Sequence, residues 1–148
     1  KKRYSNVEWK HPCIYLKNVT FIDTKFDNLV ITYKNEKLVE ATFTLFDNAS
    51  VMDNPFKDRA TILSEAKSKQ NQIMNRFTQA FNGLGNAFCS KYGNPAVSSE
   101  GNAIWRDTNS NSITLNVTLN NSQDELGVHF DGILTVTYRT ATTNNDEF

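Results

Sequence analysis

A chain of 148 residues is long enough to bury a core of its own without metal or cofactor. Sixteen basic and sixteen acidic residues cancel to zero formal charge, and the only basic cluster is Lys1-Lys2-Arg3. That balance argues against a general electrostatic grip on nucleic acid or anionic membrane, and no apolar run approaches the ~18 residues of a membrane span.

The chain reads as a single domain, residues 1–148, with an N-terminal arm over 1–12 and a frayed tail over 140–148. It starts at Lys1 with no initiator Met and no visible signal peptide, which reads as a mature or trimmed form. In the arm, Trp9 is the large apolar residue available to pin the segment to the body. A strand-like run from Cys13 to Ile22 follows. Ile14 and Leu16 share one parity and Val19 and Phe21 the other, so either a β-bulge or a break falls near Lys17-Asn18. Leu29 to Tyr33 forms the next strand, Asn35-Glu36-Lys37 a tight turn, and Leu38 to Phe46 the hairpin partner. Leu38, Ala41, Phe43 and Leu45 are its candidates for a covered face, with a slip near Val39-Glu40. Asp47 to Lys57 reads as a loop, rich in Asn, Asp and Ser and holding Pro55.

One long amphipathic helix, about Asp58 to Tyr92, organises the rest. Ile62, Leu63, Ala66, Ile73, Met74, Phe77, Ala80, Phe81, Leu84, Ala87 and Phe88 share a broad stripe. Asp58 or Thr61 is its N-cap, and Gly93 with Pro95 ends it. Gly83 and Gly85 interrupt the pattern at about 1 kcal/mol each relative to Ala. They mark either a kink, a close backbone approach, or simple weak points.

Beyond a polar loop, Ala103 to Arg106 makes a short strand and Asp107 to Asn111 a turn. The cleanest alternation follows, Ile113, Leu115, Val117 and Leu119 against Thr114, Asn116 and Thr118. Asn120 to Asp131 reads as a long polar connection. Gly132 to Arg139 is the last strand, with Leu134, Val136 and Tyr138 against Ile133, Thr135 and Thr137.

The fold class is therefore α+β: one antiparallel sheet of about six strands, in the order β-β-β-α-β-β-β, with the helix packed on one face. The opposite face carries Thr32, Thr42, Thr44, Thr114, Asn116, Thr118, Thr135 and Thr137. It is either a solvated outer surface or a flat binding surface. Phe46 and Ile133 favour binding, and the candidate binding residues are Phe46, Thr42, Thr44, Thr114, Asn116, Ile133 and Thr135. Trp105 and Val30 are left unplaced between the two faces.

Three landmarks stand in order. They are Tyr33-Lys34-Asn35-Glu36-Lys37-Leu38 with Ala41-Thr42-Phe43-Thr44-Leu45; Lys91-Tyr92-Gly93-Asn94-Pro95; and Trp105-Arg106-Asp107 ahead of Ile113-Thr114-Leu115 and Leu134-Thr135-Val136-Thr137-Tyr138. Over roughly residues 26–139 this resembles small secreted or lipid-anchored bacterial proteins of uncharacterised function. The architecture is similar to the helix-on-sheet units of the β-lactamase-inhibitor-protein-like fold. The resemblance implies an extracytoplasmic binding or inhibitor-type module, periplasmic, surface-anchored or secreted, and it carries over no inhibitory residue.

Signals of catalysis are absent from the sequence. The two histidines, His11 and His129, lie far apart with no nucleophile motif. Asp107, Asp124, Glu125 and Asp131 fall in predicted turns, where carboxylates are normally just solvated. His11, Cys13, Cys89 and His129 have the wrong spacing for a zinc site, so neither metal nor cofactor is expected. Sequons at Asn18, Asn48, Asn116 and Asn120 read as chance in an Asn-rich chain. Cys89 falls by helical angle among the polar residues, where a free thiol is a liability, so a Cys13–Cys89 disulfide is expected.

Two functional readings follow from the residues. The first is a non-enzymatic module that binds a protein or cell-envelope partner through the open sheet face. The second is a small apolar-ligand carrier with a pocket between helix and sheet, lined by Phe77 and Phe81. An enzyme using loop carboxylates ranks behind both.

Overall fold

The structure is a computed structural model and describes residues 13–141. Among these residues, seven strands and one helix follow in the order β1 (Cys13–Phe21), β2 (Thr24–Lys34), β3 (Lys37–Met52), α1 (Arg59–Tyr92), β4 (Val97–Ser99), β5 (Asn102–Arg106), β6 (Ser112–Asp124) and β7 (Gly127–Arg139). All neighbours in the sheet are antiparallel, and the strand order is β1-β2-β3-β7-β6-β5-β4. The helix carries the chain from the centre of the sheet to its far edge. Three hairpin steps then bring it back to close on β3. The central ladder pairs Glu40 with Arg139 at one end and Met52 with Gly127 at the other.

α1 spans 34 residues, about 51 Å, and β3 spans 16, about 53 Å, so the helix is about as long as the central strand. Asp58 caps its start by accepting from the Thr61 N–H at 2.8 Å. Gly93, at φ 86°, ends it and donates its N–H to the Cys89 carbonyl at 2.8 Å. The Trp105 indole N–H then pins that carboxyl end to β5 by donating to the Gly93 carbonyl at 3.0 Å.

Ala66, Ile73, Phe77, Leu84 and Phe88 are the buried helix positions, a seam with alternating steps of seven and four. They meet Leu45 and Val51 on β3, Phe130, Leu134 and Val136 on β7, Leu115 on β6, and Ala103 and Trp105 on β5. The stripe read from sequence is wider than this seam, since Leu63 and Met74 stand exposed at its margins. Phe77 is fully buried, and its ring occupies the space above Gly132, where a Cβ would collide with it.

The sheet differs from expectation by one strand, β4, and by the length of four others, with β2 starting at Thr24 and not at Leu29. Residues 47–52 continue β3, and residues 120–131 are the β6–β7 hairpin, not a loose connection. Asp47, Asn48, Ser50, Asn120 and Asn121 are poor strand formers, yet β7 pairs with both segments, and its two ladders hold them extended. The Thr140 N–H donates to the Val39 carbonyl and the Ala141 N–H to Asn111 Oδ1, so the first two residues of the expected tail are tied to the sheet. The rest of that tail, and the arm with Trp9 and His11, lie outside the described residues.

Both predicted irregularities appear. Asn18 sits at φ 55°, and the β1–β2 ladder steps past it from Lys17↔Asn28 to Val19↔Phe26. The β2–β3 register slips where β3 inserts Val39, which is buried in place of Leu38. Asn35 and Glu36 both have positive φ, as a two-residue hairpin turn of the favoured twist requires. Ile22 and Asp23 make the same turn between β1 and β2, although Ile22 at φ 51° is a β-branched residue in the left-handed region. Gly83 and Gly85 are plain weak points: Gly83 has nothing within 4 Å of a Cβ position, and Gly85 would meet only Leu115 Cδ2 at 3.9 Å.

The expected disulfide is absent. Cys13 lies on β1 opposite Thr32, with its Sγ 3.6 Å from the Thr32 hydroxyl on the uncovered side of the sheet. Cys89 lies on the other side, half-buried against the core. The sheet itself separates the two thiols. The helical-angle argument placed Cys89 with the polar residues, whereas the breadth of the sheet lets the last helical turns bury one more row.

Candidate functional site: the uncovered sheet face

The helix covers one face of the sheet, and period two sends the alternate residues of every strand to the other. Across that second face the ladders align three rungs on β3, β7 and β6. These are Thr42–Thr137–Thr114, Thr44–Thr135–Asn116 and Phe46–Ile133–Thr118. All seven candidate binding residues therefore fall in one contiguous block. Phe46 is 46% exposed and Ile133 40%, side by side on one rung. Thr42 and Thr137 bring their hydroxyls within 3.5 Å of one another. Val30 joins the Thr42 rung from β2, and Tyr15, 56% exposed, extends it onto β1. Trp105 points to the helix and is buried, so it leaves the candidate surface.

Phe46 is held where the sheet narrows. The β2–β3 ladder ends at Asn28↔Thr44, and the next outward N–H, that of Phe46, donates to Asp27 Oδ2 at 2.7 Å. A carboxylate thus replaces the missing strand. On the other flank β5 pairs as far as Asn102↔Asn116, and the Val117 N–H then donates to the Gly101 carbonyl at 2.8 Å. Past these points the sheet is a three-stranded ribbon of β3, β7 and β6.

On that ribbon the same face carries a polar cluster invisible in the sequence. Ser50, His129 and Ser122 share a rung, and Ser50 Oγ lies 2.8 Å from His129 Nδ1. His129 Nε2 lies 2.9 Å from Asp124 Oδ1. That same oxygen accepts from the Leu126 N–H at 2.8 Å and the Gly127 N–H at 3.2 Å, which closes the β6–β7 turn. The hydrogen bond from His129, followed by the one from Leu126, holds the Asp124 carboxyl below its usual range. One rung away, Asn120 donates to Asp131 at 3.3 Å. Sequence reading placed Ser50, Asp124 and His129 in loops. The usable signal was the alternation of Ala49 and Val51 with Ser50, and of Val128 and Phe130 with His129.

On the helix side, the centre of the interface is filled by Phe77, Leu84, Leu115 and Leu134, so no deep pocket separates helix from sheet there. Two shallow hollows flank the helix beside β6. One is about 170 Å³, between Phe81 and Leu119, and the other about 210 Å³, between Met74 and Leu119. Both fall below the ~300 Å³ of a usual ligand pocket. A hollow of about 480 Å³ opens to solvent beside the β1–β2 turn, lined by Ile22, Leu45 and Ala80 together with Asp23, Lys25, Arg76 and Gln79.

Among the described residues, no group of His, Cys, Asp and Glu is arranged to hold a metal ion. None of their helices is long and apolar enough to cross a membrane. Compared with protein families, with curated proteins and with solved structures, the chain finds no match.

Proposed function

We propose that the protein is an extracytoplasmic recognition module that binds a partner protein through the uncovered sheet face. The observation that carries this reading is the Phe46–Ile133 pair, two large apolar side chains exposed on one rung and framed by threonines. Such a step of apolar surface in a polar rim is the anatomy of a modest protein interface. A protein is favoured over an anionic envelope polymer, because Thr and Asn dominate the block and the net charge of the chain is zero. Location outside the cytoplasm now rests on the family resemblance alone, since the disulfide that supported it does not form.

The test is site-specific photocross-linking in the source cells. A benzophenone side chain in place of Phe46 should trap a defined partner, whereas the same group at Asn75 on the exposed helix face should not. Ile133→Glu should abolish the Phe46 adduct while leaving the melting temperature unchanged. Equal cross-linking from both positions, or none from Phe46, would refute the reading. A cross-link between two copies would make the partner a second copy of this chain.

A further inference from the structure

We propose that Ser50 is an activated nucleophile that takes acyl groups from activated esters and thioesters, with His129 as its base and Asp124 as the group that fixes the imidazole. The inference stands on the ribbon's own geometry and does not depend on the docking surface.

Register alone accounts for part of the arrangement. Ser50 and His129 are directly opposite on β3 and β7, so contact between them is expected of any such pair. It does not account for Asp124, which lies diagonally across, two residues beyond the partner Ser122. Nor does it require both ring nitrogens to be engaged at 2.8 and 2.9 Å.

The tautomer follows from the partners. Asp124 Oδ1 already accepts two backbone N–H groups, so it is a fixed acceptor, and His129 Nε2 must be the donor to it. In the neutral ring Nδ1 is then the acceptor, and the hydroxyl that meets it is the Ser50 donor. A serine whose proton is already directed at a neutral imidazole, with a carboxylate behind the ring, has the connectivity of an acyl-transfer triad with the two ring nitrogens exchanged. All three residues sit on paired strands and at a tied hairpin corner, which holds the geometry without a loop rearrangement.

The step balances within these residues. Ser50 Oγ attacks the acyl carbon as its proton passes to His129 Nδ1. The tetrahedral adduct expels the alkoxide or thiolate, which leaves with that proton, and Ser50 keeps the acyl group. Water attacking the ester, with Nδ1 again taking the proton, releases the acid and restores the hydroxyl.

Oxyanion support is thin. The Phe46 N–H points out of the ladder to Asp27, so by alternation the Ser50 N–H points the same way along the open edge. One donor of that kind leaves the reaction slow, since losing a single donor of a hole commonly costs ~10²–10³ in rate. Substrates therefore need good leaving groups. The surface has no pocket for a long chain, so the acyl group is short or is presented by a partner. Phe46 lies about 13 Å away, four residues along β3.

The test uses the whole chain with p-nitrophenyl acetate and with a fluorophosphonate probe, read by intact mass and peptide mapping. One adduct on Ser50 is expected, absent in Ser50→Ala and retained in Ser122→Ala. Asp124→Asn keeps an acceptor oxygen for the turn but not the carboxylate, and His129→Gln removes the base; each should slow acylation at least about tenfold. The ionisable neighbours on this face are Asp124 from β6 and Asp131 from β7, while β3 contributes only Asn48 and Met52 beside Ser50. Melting curves of each variant separate loss of chemistry from loss of fold. No adduct, an adduct elsewhere, or an unchanged rate in folded His129→Gln overturns the proposal, while failure of cross-linking at Phe46 leaves it standing.

Discussion

Gly132 and Phe77 meet between sheet and helix without space for a Cβ, and they can be tested as a pair. A Cβ built on Gly132 would stand 2.7 Å from Phe77 Cδ2 and 2.9 Å from Leu119 Cδ2, and closer still to Phe77 Cε2. Real Cβ atoms do not approach so near, and the Phe77 ring is fully buried. Gly132→Ala should therefore destabilise by overpacking, about 1–3 kcal/mol. Phe77→Ala acts in the opposite sense. A buried aromatic removes about 150–250 Å² from water, roughly 4–6 kcal/mol at ~25 cal/mol per Å². Alanine keeps part of that, so a loss of about 3–5 kcal/mol is expected.

The informative measurement is the double variant. With the ring gone, the methyl that Gly132→Ala introduces enters the hole it left, so the two costs should not add. Urea unfolding at 25 °C should give a double variant more stable than the sum of the singles by about 1–3 kcal/mol, with an unchanged m-value. Phe77→Leu in place of Phe77→Ala guards against a single variant too unstable to measure. Additivity within about 0.5 kcal/mol would show that the ring does not sit over Gly132, and the docking of the helix would then be wrong.

Gly83→Ala fills open space in the middle of α1 and should stabilise by about 1 kcal/mol, a rise of roughly 2–4 °C in Tm by calorimetry. Ile22→Asn places a residue that tolerates the left-handed region in the β1–β2 turn and should raise Tm, with thermal melting as the check; a fall would mean the turn is not strained there. Three carboxylates have lowered folded values: Asp58 through Thr61, Asp107 through Asn111, and Asp124 through His129. A lowered folded pKa gives stability that is complete above the unfolded value of about 3.9 and is lost as pH falls through the folded values beneath it. Urea midpoints should therefore hold from neutral pH down to about 4 and drop below it, with a smaller drop in Asp58→Asn.

How much of this was legible in the sequence depends on where each signal resides. The helix was readable almost to its ends because its evidence is local: a 3.6-residue stripe, an Asp before it and a Gly after it. The faces of β6 were readable because Ile113, Leu115 and Val117 alternate with Thr and Asn without interruption. The far halves of β3, β6 and β7 were not, because Asn48, Ser50, Asn120, Ser122 and Asp131 are turn formers when taken alone. What makes them strand is each other: Asn48 meets Asp131 and Asp131 meets Asn120 on one rung, while Ser50, His129 and Ser122 share the next. Pairing of this kind has no local signature, since Ser50 and His129 are 79 residues apart.

The same argument explains why the relay could not be read and why it is specified once the sheet forms. The side-chain period of a strand is two, so a slip of one residue between β3 and β7 would bring Val128 or Phe130 opposite Ser50 on the uncovered face and turn His129 to the helix side. The apolar alternates forbid that slip. Ala49, Val51, Val128 and Phe130 must all face the helix to be buried, and Gly132 must face Phe77 for want of space. Burial on the helix side thus fixes the register that brings serine, imidazole and carboxylate together on the other. A polar substitution at Phe130 or Val51, whose side chains make no hydrogen bond of the cluster and face the helix, should disturb that cluster through the register.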